Sequence, residues 1–231
     1  MTEDTTESGP FGRAAHLYRA AGWRGTLPIG RAPGQKSPPP NGWTGHGAPY
    51  PSGADTQAWA DDPMIRQLNI GLRAEPGTIG LDVDHYGAKT GQSTITQLEE
   101  FLGPLPPTWV SSARPAPSGI RWYRVPDHID GRVINWPGEA GKFVEIIQPG
   151  HRYAVVWPST NPEARGAEYR WWIEQGSGTY RVRSVYEEIP APGAFPPLPD
   201  AWVRNLMLPY DRVDKETLGD AQVAAWWDLL R

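Results

Sequence analysis

The chain of 231 residues contains no cysteine, which excludes disulfides, thiolate zinc sites and cysteine nucleophiles together. That absence fits a reducing compartment, and a cytoplasmic protein is expected. No apolar run approaches the roughly 18 residues needed to span a bilayer, and no signal peptide is recognised, so no membrane role is expected. Lysine is scarce, with 4 Lys against 18 Arg. Arginine suits phosphate because its planar fork binds two oxygens at once, although codon usage in a GC-rich genome gives the same ratio. Positive charge is short overall: the formal net charge of −4 argues against a surface that grips nucleic acid everywhere, and leaves room for a local basic patch.

What is present is globular. Hydrophobic residues make up 39% and charged residues 21%, enough for a packed core in one α/β domain with a small appendage. Glycine and proline, 26 each, fall in clusters that read as long ordered loops. Residues 1–10 read as a frayed tail, 11–189 as the main domain, and 190–231 as a proline-rich linker followed by a helix over 217–230. The spacing of Ala14, Leu17, Tyr18 and Ala21 predicts a helix, and Thr94 to Leu102 a second one with Ser93 as its N-cap. A short helix is expected at Thr56 to Trp59. Leu68 to Arg73 and Thr78 to Asp84 read as strands joined by the Pro76-Gly77 turn, as an antiparallel hairpin. Thr108 to Ser112, Ile120 to Val125, Phe143 to Ile147 and Tyr153 to Trp157 read as four more. Strands on both sides of one central helix give an α+β domain with a mainly antiparallel sheet.

In Thr78-Ile-Gly-Leu-Asp-Val-Asp84, alternation along the strand sends Ile79, Leu81 and Val83 one way and Gly80, Asp82 and Asp84 the other. Two carboxylates on one face, roughly 7 Å apart, repel each other unless a cation stands between them, and a hard oxygen-loving ion such as Mg²⁺ or Mn²⁺ fills that role. The plainer reading is a strand ending in solvent with two surface aspartates. Glu145, alone in the apolar run Phe143 to Ile147, needs a partner. It either pairs with an arginine or joins Asp82 and Asp84 in a three-carboxylate cluster able to hold two metal ions for phosphoryl or nucleotidyl transfer.

The order of motifs resembles the N-terminal domain of bifunctional DNA primase/polymerase proteins of the archaeo-eukaryotic primase superfamily, in the forms found in actinobacteria and their phages. The resemblance runs from about Ala14 to Trp172. It rests on AAHLYRAAGW at 14–23, Gly34 to Trp43 with Lys36, NIGL at 69–72, LDVD at 81–84, Pro117-Ser118-Gly119, FVEII at 143–147 and HRYAVVWPS at 151–159. It implies a primase-polymerase fold, in which a small N-terminal α/β unit joins an RRM-like, mainly antiparallel sheet. It also implies a two-metal site of Mg²⁺ or Mn²⁺ on Asp82, Asp84 and Glu145. The family's middle motif, a small residue followed shortly by a triphosphate-contacting histidine, aligns with Ser118 to Trp122, and Trp122 stands in the histidine's place. The candidates for holding the triphosphate are then Arg121, His151, Arg152, Ser118, Gly119 and Lys36, each with an ordinary loop or turn reading beside it. Trp43 and Trp122 are the aromatics to examine for stacking on bases.

The implied activity is template-directed transfer of a nucleoside monophosphate from an NTP or dNTP to a 3′-hydroxyl, with single-stranded DNA as template. Two other readings stand: a nucleic-acid-binding protein that keeps the fold without catalysis, and a metal-dependent nuclease. No helicase segment is recognised, so unwinding is expected either to come from a separate replicative helicase as partner or to be unnecessary. Trp226 and Trp227 of the last helix would dock it or pack on the body.

Overall fold

A computed structural model describes residues 8–129, 136–175, 180–183 and 188–207. The expected helix over 217–230, with Trp226 and Trp227, lies outside them, as does most of the expected tail. Helix α1 spans Pro10–Ala20, beginning with Pro10 in the first turn, where a missing N–H costs nothing. It buries Phe11, Ala14, Ala15 and Tyr18, a single stripe at i, i+3, i+4 and i+7 spacing. Gly22, at φ 98°, turns the chain out of the helix.

Strand β1 (Thr26–Ile29) follows, then helix α2 (Gly53–Asp61), which opens with a reciprocal capping box between Ser52 and Asp55. Next come β2 (Asn69–Leu72), β3 (Thr78–Val83) and helix α3 (Gly91–Leu102). Strands β4 (Trp109–Ser112), β5 (Gly119–Arg124), β6 (Glu139–Gly141), β7 (Val144–Ile147) and β8 (Ala154–Val156) come after the helix. The short β9 (Thr160–Asn161) and β10 (Ala167–Glu168), then β11 (Arg170–Gln175), β12 (Tyr180–Arg183) and helix α4 (Asp200–Met207), complete the described order. Helices and antiparallel sheets thus mix in an α+β fold. No described helix is long and apolar enough to cross a membrane.

The expected hairpin between β2 and β3 does not form. β2 lies between β1 and β8 in a three-stranded sheet, whereas β3 sits inside a seven-stranded sheet of order β12-β11-β4-β5-β3-β7-β6. The turn after Arg73 carries the chain from one sheet to the other, so adjacency in sequence misleads about pairing. Helix α3 also starts earlier than expected: Thr90 precedes it and Ser93 lies inside its first turn.

Residues directly opposite one another in an antiparallel ladder share a face. On one face of the large sheet, Ile79, Leu81, Val83, Tyr123, Val144 and Ile146 form a core with Ile95 and Leu98 of α3 and Trp202, Val203 and Leu206 of α4. On the other face, Trp122, Ile147 and Trp171 pack against Phe11, Tyr18, Trp23, Ile70 and Val156 of the small N-terminal unit. That unit is therefore built on the sheet, joined to it by a shared core.

The proline-rich stretch after residue 188 is not a free linker. Phe195 and Leu198 are buried, and Arg124 N–H donates to the Pro196 carbonyl while Leu198 N–H donates to the Arg124 carbonyl. The segment runs beside the end of β5 as a strap, because proline's missing N–H is harmless where only alternate residues pair.

Candidate active site

The register of the central strands decides which side chains meet. Asp82 on β3 stands opposite Ile120 on β5 and opposite Glu145 on β7. Asp82, Glu145 and Ile120 therefore share the face that carries the small unit. Asp84 lies just beyond the end of β3. Its backbone N–H donates to the Phe143 carbonyl and its own carbonyl accepts from Gly91 N–H at the start of α3. A Cβ on Gly91 would meet Phe143 O at 2.5 Å and Asp84 O at 2.7 Å, so only glycine lets the helix close this near to Asp84.

All three carboxylates line one cleft of about 290 Å³, together with Lys36, Tyr86, Arg114, Ser118, Arg152 and Tyr169, among others. The Asp82 carboxyl is pushed up to about 7, first by burial and then by the negative charges of Asp84 and Glu145, against the pull of Lys89 and Arg152. The other two acids are occupied by cations of the chain. Lys89 Nζ reaches Asp84 Oδ2 at 2.5 Å, which raises the lysine's pKa. Arg152 Nη1 reaches Glu145 Oε2 at 2.9 Å. Phe143 and Arg152, which bracket the Glu145 strand, both take positive φ, 62° and 66°, an uncommon conformation outside glycine.

With Asp84 turned to Lys89 and Glu145 to Arg152, no three acidic or histidine side chains among the described residues converge closely enough to hold a metal ion. The donor set nevertheless suits one. It supplies only hard oxygen atoms, its members repel one another, and ammonium and guanidinium groups already sit against two of them. A divalent cation would be held by Asp82, Asp84 and Glu145 in exchange for those side-chain contacts.

The remaining sequence candidates divide. Lys36 lines the cleft and is paired with Glu163 at 2.8 Å. Ser118 and Gly119 also line it, but the Ser118 hydroxyl is engaged with the backbone of His85, donating to its carbonyl and accepting from its N–H. Gly119, at φ 137°, packs so close to β4 that a Cβ would stand 2.7 Å from Ser112 Cβ.

Arg121 is a correction. It faces the opposite side of the sheet, fully buried, with Nε on Glu174 Oε1 at 2.7 Å and Nη2 on Gln92 Oε1, and so is out of reach of a ligand in the cleft. Trp122 is another correction: it is buried against Trp23 and Phe195 in the shared core, unavailable to bases. The residue of that strand that faces Asp82 is the apolar Ile120. Trp43 packs edge-on against Trp59. His151 is exposed in the turn between β7 and β8, exchanging backbone hydrogen bonds with Gln148, and is not among the residues of the cleft wall.

Arg114, Tyr86, Lys89 and Glu163 belong to the site and were not singled out from sequence. Arg114 had a signal, as the cation immediately before the Pro-Ala-Pro-Ser-Gly stretch. Tyr86 and Lys89 follow the aspartates in a loop whose fold back onto Asp84 no periodicity reveals.

No curated protein and no solved structure gives a significant match to the chain. The model of the family described as bifunctional DNA primase/polymerase, N-terminal (Prim-Pol), matches residues 14–200. That range takes in all three sheets, counting the β9–β10 pair, and the strap, and ends at the first residue of α4. With the carboxylates, the cleft and the α+β architecture on one continuous match of this length, the chain belongs to the bifunctional DNA primase/polymerase N-terminal family.

Proposed function

We propose that the protein is a metal-dependent DNA primase/polymerase, transferring a nucleoside monophosphate from a (d)NTP to a 3′-hydroxyl on a single-stranded DNA template. The observation that carries this reading is the in-register meeting of Asp82 and Glu145, with Asp84 at the strand end, in a cleft that also presents Lys36, Arg114 and Arg152. Carboxylates and cations lining one cleft suit a reaction between a metal-bound triphosphate and a hydroxyl. The 3′-oxygen bonds to the α-phosphorus, the α–β bridging bond breaks, pyrophosphate leaves, and the hydroxyl proton passes to solvent or a base. Bound Mg²⁺ or Mn²⁺ would lower the pKa of the 3′-hydroxyl and neutralise the triphosphate. The chain's own part is positioning: Asp82, Asp84 and Glu145 fix where the cations sit, and Arg152, once exchanged from Glu145, faces the phosphates.

A second reading, a nucleic-acid-binding protein of this fold with weakened or no catalysis, is favoured by one observation. Ile120 offers no hydrogen bond at the position facing Asp82. Incubation with Mn²⁺ or Mg²⁺, single-stranded DNA and labelled nucleotides, with and without a primer, separates the two. The expected result is extension by the native protein and a loss of at least roughly 10²-fold in Asp82→Ala/Asp84→Ala, the scale on which electrostatic stabilisation of such transition states operates. No extension under any combination would overturn the catalytic reading. Undiminished extension by the variant would overturn the site.

A further inference from the structure

The cations of the cleft wall are not equivalent. Lys36 is neutralised by Glu163 and Arg152 by Glu145. Arg114 makes no salt bridge among the described residues: its Nη2 reaches the backbone carbonyl of Glu163 at 3.3 Å, and its charge only helps Lys36 hold the Glu163 carboxyl below its usual range. Its guanidinium lies over the Tyr86 ring with Cζ 3.8 Å from the centroid, which fixes the plane of the fork while leaving hydrogen-bond donors for a ligand.

The loop that carries Arg114 is itself held. Ser112 Oγ accepts from Arg114 N–H and lies within hydrogen-bonding distance of the carbonyls of Arg114 and Ser118. Tyr86 is tied in turn to the acids: Lys89 Nζ donates to the Tyr86 hydroxyl at 3.1 Å and to Asp84 at 2.5 Å. Tyr86, with Lys89 on its hydroxyl and Arg114 on its ring, therefore holds the Arg114 guanidinium in the same cleft as the carboxylates.

The geometry points to Arg114, stacked on Tyr86, as the anchor for the β- and γ-phosphates of the incoming nucleoside triphosphate, in a cleft where Ile120 supplies no polar contact. This rests on the nucleotidyltransferase reading of the cleft. A bidentate charge-assisted contact to phosphate is the strongest that a single side chain of this kind makes, and Tyr86 would act as a positioning residue for it.

The test is binding of dATP and of dAMP to the full chain in Mg²⁺ without DNA, by calorimetry, for the native protein, Arg114→Ala and Arg114→Lys, alongside primer extension by the same samples. Arg114→Ala is expected to weaken dATP by roughly 10- to 100-fold, the range for hydrogen bonds to charged groups, and to leave dAMP within about twofold, the scatter of near-neutral surface changes. Arg114→Lys, which keeps charge but loses the fork and much of the stacking, should fall between them, with unchanged circular dichroism confirming the fold. Native dATP affinity in Arg114→Ala, or equal losses for dATP and dAMP, would overturn the assignment, even if extension is intact. An Arg114-dependent preference for dATP in a protein that extends no primer would uphold the anchor and overturn the catalytic reading alone.

Discussion

Asp82 is the residue on which the electrostatics of the cleft turn. Its carboxyl is pushed up to about 7 by burial and by two acidic neighbours, whereas an unfolded chain would hold it near 3.9. Between those values the native state keeps a proton that the unfolded state has lost, so the metal-free protein loses stability as pH rises from about 4 to about 7. Asparagine in its place has nothing to ionise. Asp82→Asn should therefore gain on the native protein by about 1–2 kcal/mol between pH 4.5 and pH 8, after discounting for solvent at the cleft mouth. Thermal unfolding at the two pH values in the presence of a chelator measures the gain; a difference that does not change with pH would contradict the account. Excess Mn²⁺ should reverse the order at pH 8, because it binds the carboxylate and not the amide.

The same residue scale shows what the sequence made legible. Alternation along Thr78 to Asp84 put Asp82 on the face away from Leu81, and the isolated acid in Phe143 to Ile147 marked Glu145. Both readings depend on period two within one strand. The roles of Arg121 and Trp122 depended on which face of a neighbouring strand meets the cleft, and that is a property of register between strands. Alternation alone placed Arg121 and Trp122 on opposite faces, yet neither face at those positions is open. Arg121 enters a buried ion pair with Glu174, and Trp122 enters the shared core.

At the scale of elements, the main strands were legible as apolar runs, and α1 and α3 from helical periodicity. Pairing was not, as the separation of β2 from β3 shows. The stretch 190–199 reads as a linker for a compositional reason: proline-rich segments between elements usually behave as linkers, and only the two large apolar residues in it, Phe195 and Leu198, hint otherwise. Phe195 stacks on Trp122 with ring centroids 5.8 Å apart and lies 6.0 Å from Trp23. Phe195→Ala should cost about 3–5 kcal/mol, the range for emptying a buried aromatic site, read as a lower urea midpoint with an unchanged slope. A loss under about 1 kcal/mol, typical of a surface change, would return the segment to the status of a linker.

At the scale of the molecule, the cleft lies where a small unit sits on a larger sheet. The shared core of Trp23, Ile70, Val156, Trp122 and Trp171 joins the two, and the same sheet face carries Asp82 and Glu145. The cleft is lined by segments distant in sequence: Lys36 and Tyr153 from the small unit's side, Asp82 and Glu145 from the large sheet, and Arg114 from the loop between β4 and β5. The family match over residues 14–200 spans the whole of this arrangement, which is why motif order identified the family more readily than any one motif did.

Metal-dependent catalysis as proposed requires Asp84 and Glu145 to give up Lys89 and Arg152 for divalent cations. Titration of Mn²⁺ into the full chain at pH 8, followed by the loss of the free-ion electron paramagnetic resonance signal, measures that exchange. The native protein is expected to bind Mn²⁺, and Asp82→Ala/Asp84→Ala to leave the added ion free. Absence of binding by the native protein, or equal binding by the variant, would contradict it.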